Sequence, residues 1–346
     1  MNETTQAFET IETATRPTDL FGTAVDAGAR TEARREYHRL IALVHPDVVN
    51  RRDCGRATVV IGKLIRLYRQ WEETGATSGT TLVGDRHLYT FGGTGIVGSV
   101  ADVYRGSSDD GEGVVVKIPR KPSSNALMDA ERDALIDIQA SGGDGNDWLR
   151  HYFPRFVDRI GHQDPTTRER RSINVLNDIG TSFVTLADVR AAYPDGLDPR
   201  DYAWMHRRLL RALAAAHRAG WAHTALTADN VLIEPERHGV VVAGWSYATR
   251  IGDVPPLAAL AERPPEAASM QPVTAGWDVY MAHGLMLDTL RSQTPKRLRS
   301  FADGCRQKNP QHRPDAVDLL SEFDDLLENL YGRRRFRQFA MPASAG

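Results

Sequence analysis

The stretch Thr74-Gly75-Ala76-Thr77-Ser78-Gly79-Thr80-Thr81 divides the chain into two patterns that one domain cannot share. Before it, apolar residues recur at helical spacing; after it, the sequence turns to short β-branched runs split by Gly and Asp. A Gly/Thr/Ser segment of this kind predicts a flexible connection and a domain boundary. With 346 residues there is chain enough for two or three domains, and 41% hydrophobic residues supply ordinary packed cores.

Charge and cysteine content narrow the function classes. Lys and Arg number 43 against 45 Asp and Glu, so no whole-molecule field draws the chain to a membrane or to nucleic acid, and neither is an expected partner. Cys54 and Cys305 stand far apart without a second Cys or His at ligand spacing, so neither a disulfide framework nor a metal site is expected. The N-terminus lacks the apolar core of a signal peptide, and no run approaches the ~20 apolar residues of a membrane span. A soluble cytoplasmic protein is the expectation. Residues 1–17, rich in Thr and Glu without periodicity, are expected to form a disordered tail.

Residues 18–74 read as a small helical domain. From Thr31 to Val44, Tyr37, Leu40, Ile41 and Val44 form one apolar stripe, with Arg34, Arg35, His38 and Arg39 largely off it. Pro46 ends that helix. A second helix, from about Ala57 to Glu73, turns Ile61, Leu64, Ile65 and Tyr68 inward, and the two are expected to pair as an antiparallel hairpin. Between them stands His45-Pro46-Asp47. This arrangement resembles the J-domain of DnaJ co-chaperones, over about Asp19 to Glu73. The resemblance implies that His45, Pro46 and Asp47, with the basic face of Arg34, Arg35, His38 and Arg39, engage a DnaK-type chaperone and stimulate its ATPase. Proline fixes the turn, and the polar pair beside long cationic side chains suits a steering surface more than a bond-breaking one. This chain has Ile61 and Leu67-Tyr68 where that family usually carries a Phe and an Ala-Tyr pair, which leaves open which DnaK-type partner it fits.

After a linker over 75–86, residues 87–178 read as a small strand-rich lobe and 179–330 as a larger helical one. Gly93, Gly95 and Gly98 satisfy a G-x-G-x-x-G-x-V pattern, while the distance from Val103-Tyr104 to Lys117 favours a register with Ala101 at the third glycine; both remain open. Lys117 ends a β-branched run, and Glu131 lies on the helix that follows. Farther on come His217 to Ile233, Pro264-Pro265-Glu266, Asp278-Val279-Tyr280 and Arg313-Pro314. In this order the segments resemble a protein kinase from roughly Leu88 to Leu330. The resemblance implies a two-lobed α+β fold, with Lys117 and Glu131 as the phosphate-gripping pair and Glu266, Asp278 and Arg313 as structural residues.

The catalytic positions depart from that pattern. His223-Thr224-Ala225-Leu226-Thr227-Ala228-Asp229-Asn230 puts Ala225 where a kinase has its base and Thr227 where it has a phosphate-contacting Lys. Gly244-Trp245-Ser246 stands where the metal-binding Asp would be. Loss of a positioned base alone costs roughly 10²- to 10⁴-fold in rate, so ordinary kinase catalysis is not expected. Gly93, Gly95, Gly98, Lys117, Glu131 and Asn230 make ATP the expected ligand, if the domain binds one; otherwise it would hold a client or signalling protein. The 331–346 tail, with Arg333, Arg334, Arg335 and Arg337 around Phe336 and Phe339, is expected to be a solvated extension.

Overall fold

The computed structural model describes residues 3–22, 27–46, 48–50, 53–75, 80–142, 151–163, 167–256 and 262–342. It divides into two compact units, residues 1–98 with 102–117, and residues 99–101 with 118–346. Most of the strand-rich stretch from residue 80 to residue 117 is thus grouped with the N-terminal helices.

The first unit begins with α1 (Glu3–Thr13), α2 (Thr18–Phe21), α3 (Ala27–Val44) and α4 (Cys54–Gly75). The expected disordered tail is instead helical. Ala7, Phe8 and Ile11 share one face of α1 and bury it in a core with Leu40 and Val44 of α3 and Leu64 and Trp71 of α4. Three apolar residues over little more than a turn are too short a pattern to read in a Thr/Glu-rich segment. Arg56 grips both oxygens of Glu12 at 2.7 Å, and Lys63 donates to the Glu12 carbonyl at 2.7 Å, so α1 is also pinned to α4 by polar contacts.

The inward stripe of α4 is Ala57, Val60, Leu64, Leu67 and Trp71. Ile65, expected inside, is 37% exposed, while Ile61 and Tyr68 are only partly buried. Tyr37 stacks on Tyr68 with ring centres 4.0 Å apart, and the Trp71 indole donates to the Gly22 carbonyl at 2.8 Å. Of the expected linker, Gly75 closes α4 and residues 76–79 lie outside the described residues. Thr80–Val83 forms β1, paired antiparallel with β2 (Leu88–Phe91) in the register Thr80↔Phe91 to Val83↔Leu88. Two threonines that read as linker are β-branched and join the sheet. Strand β3 (Ile96–Val97) turns back on β4 (Ala101–Ser108), and β4 lies between β2 and β5 (Gly113–Pro119).

The second unit holds α5 (Asn125–Ala140) and the antiparallel pair β6 (Phe156–Gln163) and β7 (Arg170–Asn177). Then follow β8 (Val184–Thr185), α6 (Leu186–Ala192), α7 (Pro199–Arg218), β9 (Trp221–Ala222), β10 (Val231–Glu234), β11 (Gly239–Val242) and β12 (Thr249–Arg250). Helices α8 (Ala275–Leu290), α9 (Lys296–Cys305) and α10 (Ala316–Tyr331) complete it. Asp198 caps α7 by accepting from the Arg200 amide at 2.8 Å, with Pro199 at the first helical position, where its missing N–H costs nothing. A capping box of Thr185 and Asp188 starts α6. Among the described residues no helix is long and apolar enough to cross a membrane.

The basic tail is not a free extension. Phe339 is buried beside Tyr193 and Trp204, and Arg337 binds both oxygens of Asp201 at 2.7 and 3.1 Å. The sequence pattern of arginines and phenylalanines does not by itself show the acidic and aromatic surface that receives them.

Candidate functional site

The segment expected to resemble a catalytic loop is organised by Asp278. This carboxylate is fully buried near the start of α8 and accepts from the His223 amide at 2.7 Å, the Thr224 amide at 2.9 Å and His217 Nε2 at 3.0 Å. Burial alone would raise its pKa, but the His217 bond and the neighbouring donors outweigh it and hold the carboxyl below its ordinary range. Thr224 adopts φ +59°, a left-handed conformation that β-branched residues rarely take. The Trp277 indole donates to the Thr224 carbonyl at 3.0 Å, and Thr224 Oγ1 donates to the Tyr247 carbonyl at 2.6 Å. Thr224 is thus held through its amide, its carbonyl and its hydroxyl.

At the position of a catalytic base, Ala225 is buried and carries no proton acceptor on its side chain. Its carbonyl instead accepts from Asn230 Nδ2 at 2.9 Å. Thr227 is half-buried, and its carbonyl accepts from the Asn230 amide at 3.1 Å. Gly244 has φ +75°, and a Cβ built there would overlap the Asn230 side-chain amide. Glycine is therefore demanded both by backbone conformation and by space. Trp245 next to it is fully buried, edge-on to His223 at 4.7 Å. Gly244→Ala is expected to lower stability by about 1–3 kcal/mol in chemical denaturation; an unchanged midpoint would show that Asn230 moves aside freely.

The glycine hairpin has a defined register. Ile96 pairs with Val103 and Val97 with Asp102, so the turn runs from Gly98 to Ala101. That places Gly98 and Ala101 at the tip, with Gly93 and Gly95 before it. Gly93 has φ +79°, and a Cβ on Gly95 would overlap the Tyr104 ring. These two glycines serve the approach to β3. In the second unit, Val100 and Ala101 are buried in one cluster with Met128, against Leu127 and Tyr247, and the Val100 carbonyl accepts from the Arg120 amide at 3.0 Å. Sequence pattern gave no sign of this apolar anchorage, because a lone Val in a Gly/Ser turn reads as hairpin composition.

Lys117 is buried on β5. Glu131 is buried on α5, where Asn174 Nδ2 reaches its carboxylate at 3.2 Å while also donating to the Met128 carbonyl at 2.8 Å. Arg313 forms two bonds to Glu266, at 2.6 and 2.8 Å, with both side chains buried.

In the first unit, His45 and Pro46 are half-buried at the end of α3, and the amides of Val48 and Val49 donate to the His45 carbonyl at 2.9 and 3.2 Å. Asp47 lies outside the described residues. Arg34, Arg35 and His38 are exposed, while Arg39 is drawn to Glu36 at 2.6 and 2.7 Å, so part of the expected basic face is internally neutralised.

A cavity of about 460 Å³ lies in the second unit beside the loop, lined by Leu226, Thr227 and Asp229 together with Arg190, Tyr280 and Asp288. Its walls come from α6 and α8, and the sequence brings these elements together only through the fold.

No protein-family model matches the chain, and no curated protein matches it. Among solved structures it is similar to that of vaccinia related kinase 3, with a TM-score of 0.58 and 15% sequence identity, over 73% of this chain and 91% of the other. At that identity the likeness establishes the fold: the chain contains a two-lobed α+β domain of the protein-kinase type.

Proposed function

We propose that the chain is a co-chaperone. Its N-terminal helices recruit a DnaK-type ATPase through His45, Pro46 and Asp47, and its kinase-like domain is a non-catalytic module that holds a client or signalling protein. The observation that carries the non-catalytic half is the closed geometry around Gly244: Asn230 fills the space a metal-binding side chain would need, and Ala225 supplies no base. Support for the co-chaperone half is the turn at His45-Pro46 closing a helix whose Arg34, Arg35 and His38 are exposed. Such a surface suits steered encounter with an acidic partner.

The ATPase rate of a DnaK-type chaperone is expected to rise several-fold on adding this protein and to return to its basal value with His45→Gln. Equal rates with and without the protein, or stimulation that survives the substitution, would remove the co-chaperone reading. ATP remains the ligand that a kinase-like fold invites. A rise in melting temperature with ATP would support a module that holds nucleotide, and an unshifted melt one that holds protein alone. A second reading, a divergent ATP-dependent transferase, rests on the cavity beside Thr227 and Asp229; label transfer from ATP that vanishes in Lys117→Ala would establish it in place of the first.

A further inference from the structure

The C-terminal segment does more than cover the large lobe. Trp204, His238 and Phe336 form a column of rings. Trp204 and His238 lie 4.1 Å apart and parallel within 4°, and His238 and Phe336 lie 4.6 Å apart at 24°. His238 reaches this position from a turn between β10 and β11 with φ +58°. The two inner rings are buried, whereas Phe336 is 74% exposed, so the column ends in an aromatic face open to solvent. Burial pushes the His238 pKa below its ordinary value, which keeps the column uncharged near neutrality.

Arginines crowd the same face. Arg207, Arg208 and Arg211 follow Trp204 by three, four and seven residues along α7 and so share its side of the helix. Arg334 of the tail stands among them: partial burial and then Arg207, Arg211 and Arg208 push its pKa down, and Asp324 opposes them. Asp324 is already bound to Arg207. Among the described residues, the one hydrogen bond of Arg208 is a long 3.4 Å contact with the Tyr152 hydroxyl. Arg207 engages Asp324 and Arg337 engages Asp201, so the like charges of Arg208, Arg211 and Arg334 repel one another, and an arriving anion would relieve that repulsion. Phe339 and Arg337 anchor the segment, so the tail is held in place before any ligand arrives.

We infer that this face of α7 and the tail binds single-stranded nucleic acid, with Phe336 stacking on a base and Arg208, Arg211 and Arg334 contacting phosphates. An open ring beside guanidinium groups is the combination that single strands use; phosphate on a peptide needs the arginines but offers no base for the ring. The chain's balanced charge, which argues against a whole-molecule field, does not bear on a local patch of this kind.

The test is fluorescence anisotropy of labelled oligo(dT) and oligo(rU), about 20 nucleotides long, with the full chain at several salt concentrations, and with heparin and a phosphoserine peptide as comparison probes. Both oligonucleotides are expected to bind, with affinity falling as salt rises. Phe336→Ala is expected to weaken them about 5- to 100-fold while leaving heparin binding unchanged. Arg211→Ala with Arg334→Ala should reduce the salt slope by about 1.4. Preference for oligo(rU) or oligo(dT) tells which strand chemistry the face takes. Since Phe336 is exposed, its substitution should not alter the melting temperature, and Phe336→Trp should restore binding. Three outcomes would overturn the assignment: no oligonucleotide binding, binding indifferent to Phe336→Ala, or tighter binding of the phosphopeptide.

Discussion

Asp278→Asn is expected to remove about 3–5 kcal/mol from the stability of the kinase-like part of the chain. The carboxylate accepts from two backbone amides and one imidazole, all within 3.0 Å. An asparagine keeps one acceptor and turns an NH₂ toward donors, leaving at least one buried N–H facing another donor. The charge is lost as well, and with it the strengthening that ionised acceptors give to such bonds. Because Thr224 is held at φ +59° by the same contacts, the loop has no reason to keep that conformation once the acceptor is gone. Urea unfolding followed by tryptophan fluorescence measures the change, since Trp245 and Trp277 flank the loop. A loss below about 1 kcal/mol would mean that Trp277 and Tyr247 hold the loop without Asp278.

This hub explains why the large lobe was legible from sequence. His217, His223, Asp278, Glu266 and Arg313 are few residues with demanding partners, and their order along the chain is as informative as their identity. Their geometry in the structure is a set of short, buried, charge-assisted contacts. Helix α7 was equally plain: Asp198 and Pro199 announce its start, and its long apolar stripe is hard to mistake.

The parts that escaped were short or depended on distant partners. Helix α1 shows its character in Ala7, Phe8 and Ile11 alone, and only the core it enters gives them meaning. Ile65 and Leu67 differ by two positions on α4, and apolar periodicity alone does not tell which of them faces the core. The turn of the glycine hairpin, from Gly98 to Ala101, is set by the pairing of Ile96 with Val103, which a run of glycines does not reveal. Arg337 and Phe339 looked like a solvated tail because Asp201, Tyr193 and Trp204 lie more than a hundred residues earlier. Local propensity reads elements, whereas docking is decided by surfaces that no short window contains.

Acid is expected to weaken this same lobe in a window set by two buried imidazoles. His206 on α7 and His283 on α8 are fully buried, with their Nε2 atoms 3.3 Å apart. His283 Nδ1 lies 2.7 Å from the Val279 carbonyl, which can only accept, so Nδ1 carries the proton and Nε2 is the acceptor. His206 therefore donates from Nε2, and its Nδ1 is an acceptor without a partner among the described residues. A further proton would sit on that buried Nδ1 or would bring two Nε2–H groups face to face. Burial first, and then Arg306, push the His283 pKa down to about 4, although the Val279 bond acts the other way; burial, His283 and Arg207 push His206 in the same direction. The folded state thus binds fewer protons than the unfolded chain, whose imidazoles titrate near 6.5. The His283 contribution to stability is complete above pH 6.5, falls as pH drops below it, and levels off below about pH 4. For His283 alone the loss between pH 7 and pH 5 is about 2 kcal/mol. Urea midpoints measured across that range should fall steeply in the parent protein and less so in His283→Gln, whose side chain cannot titrate. Parallel profiles would place the acid-sensitive group elsewhere, because ordinary carboxylates are still ionised at pH 5.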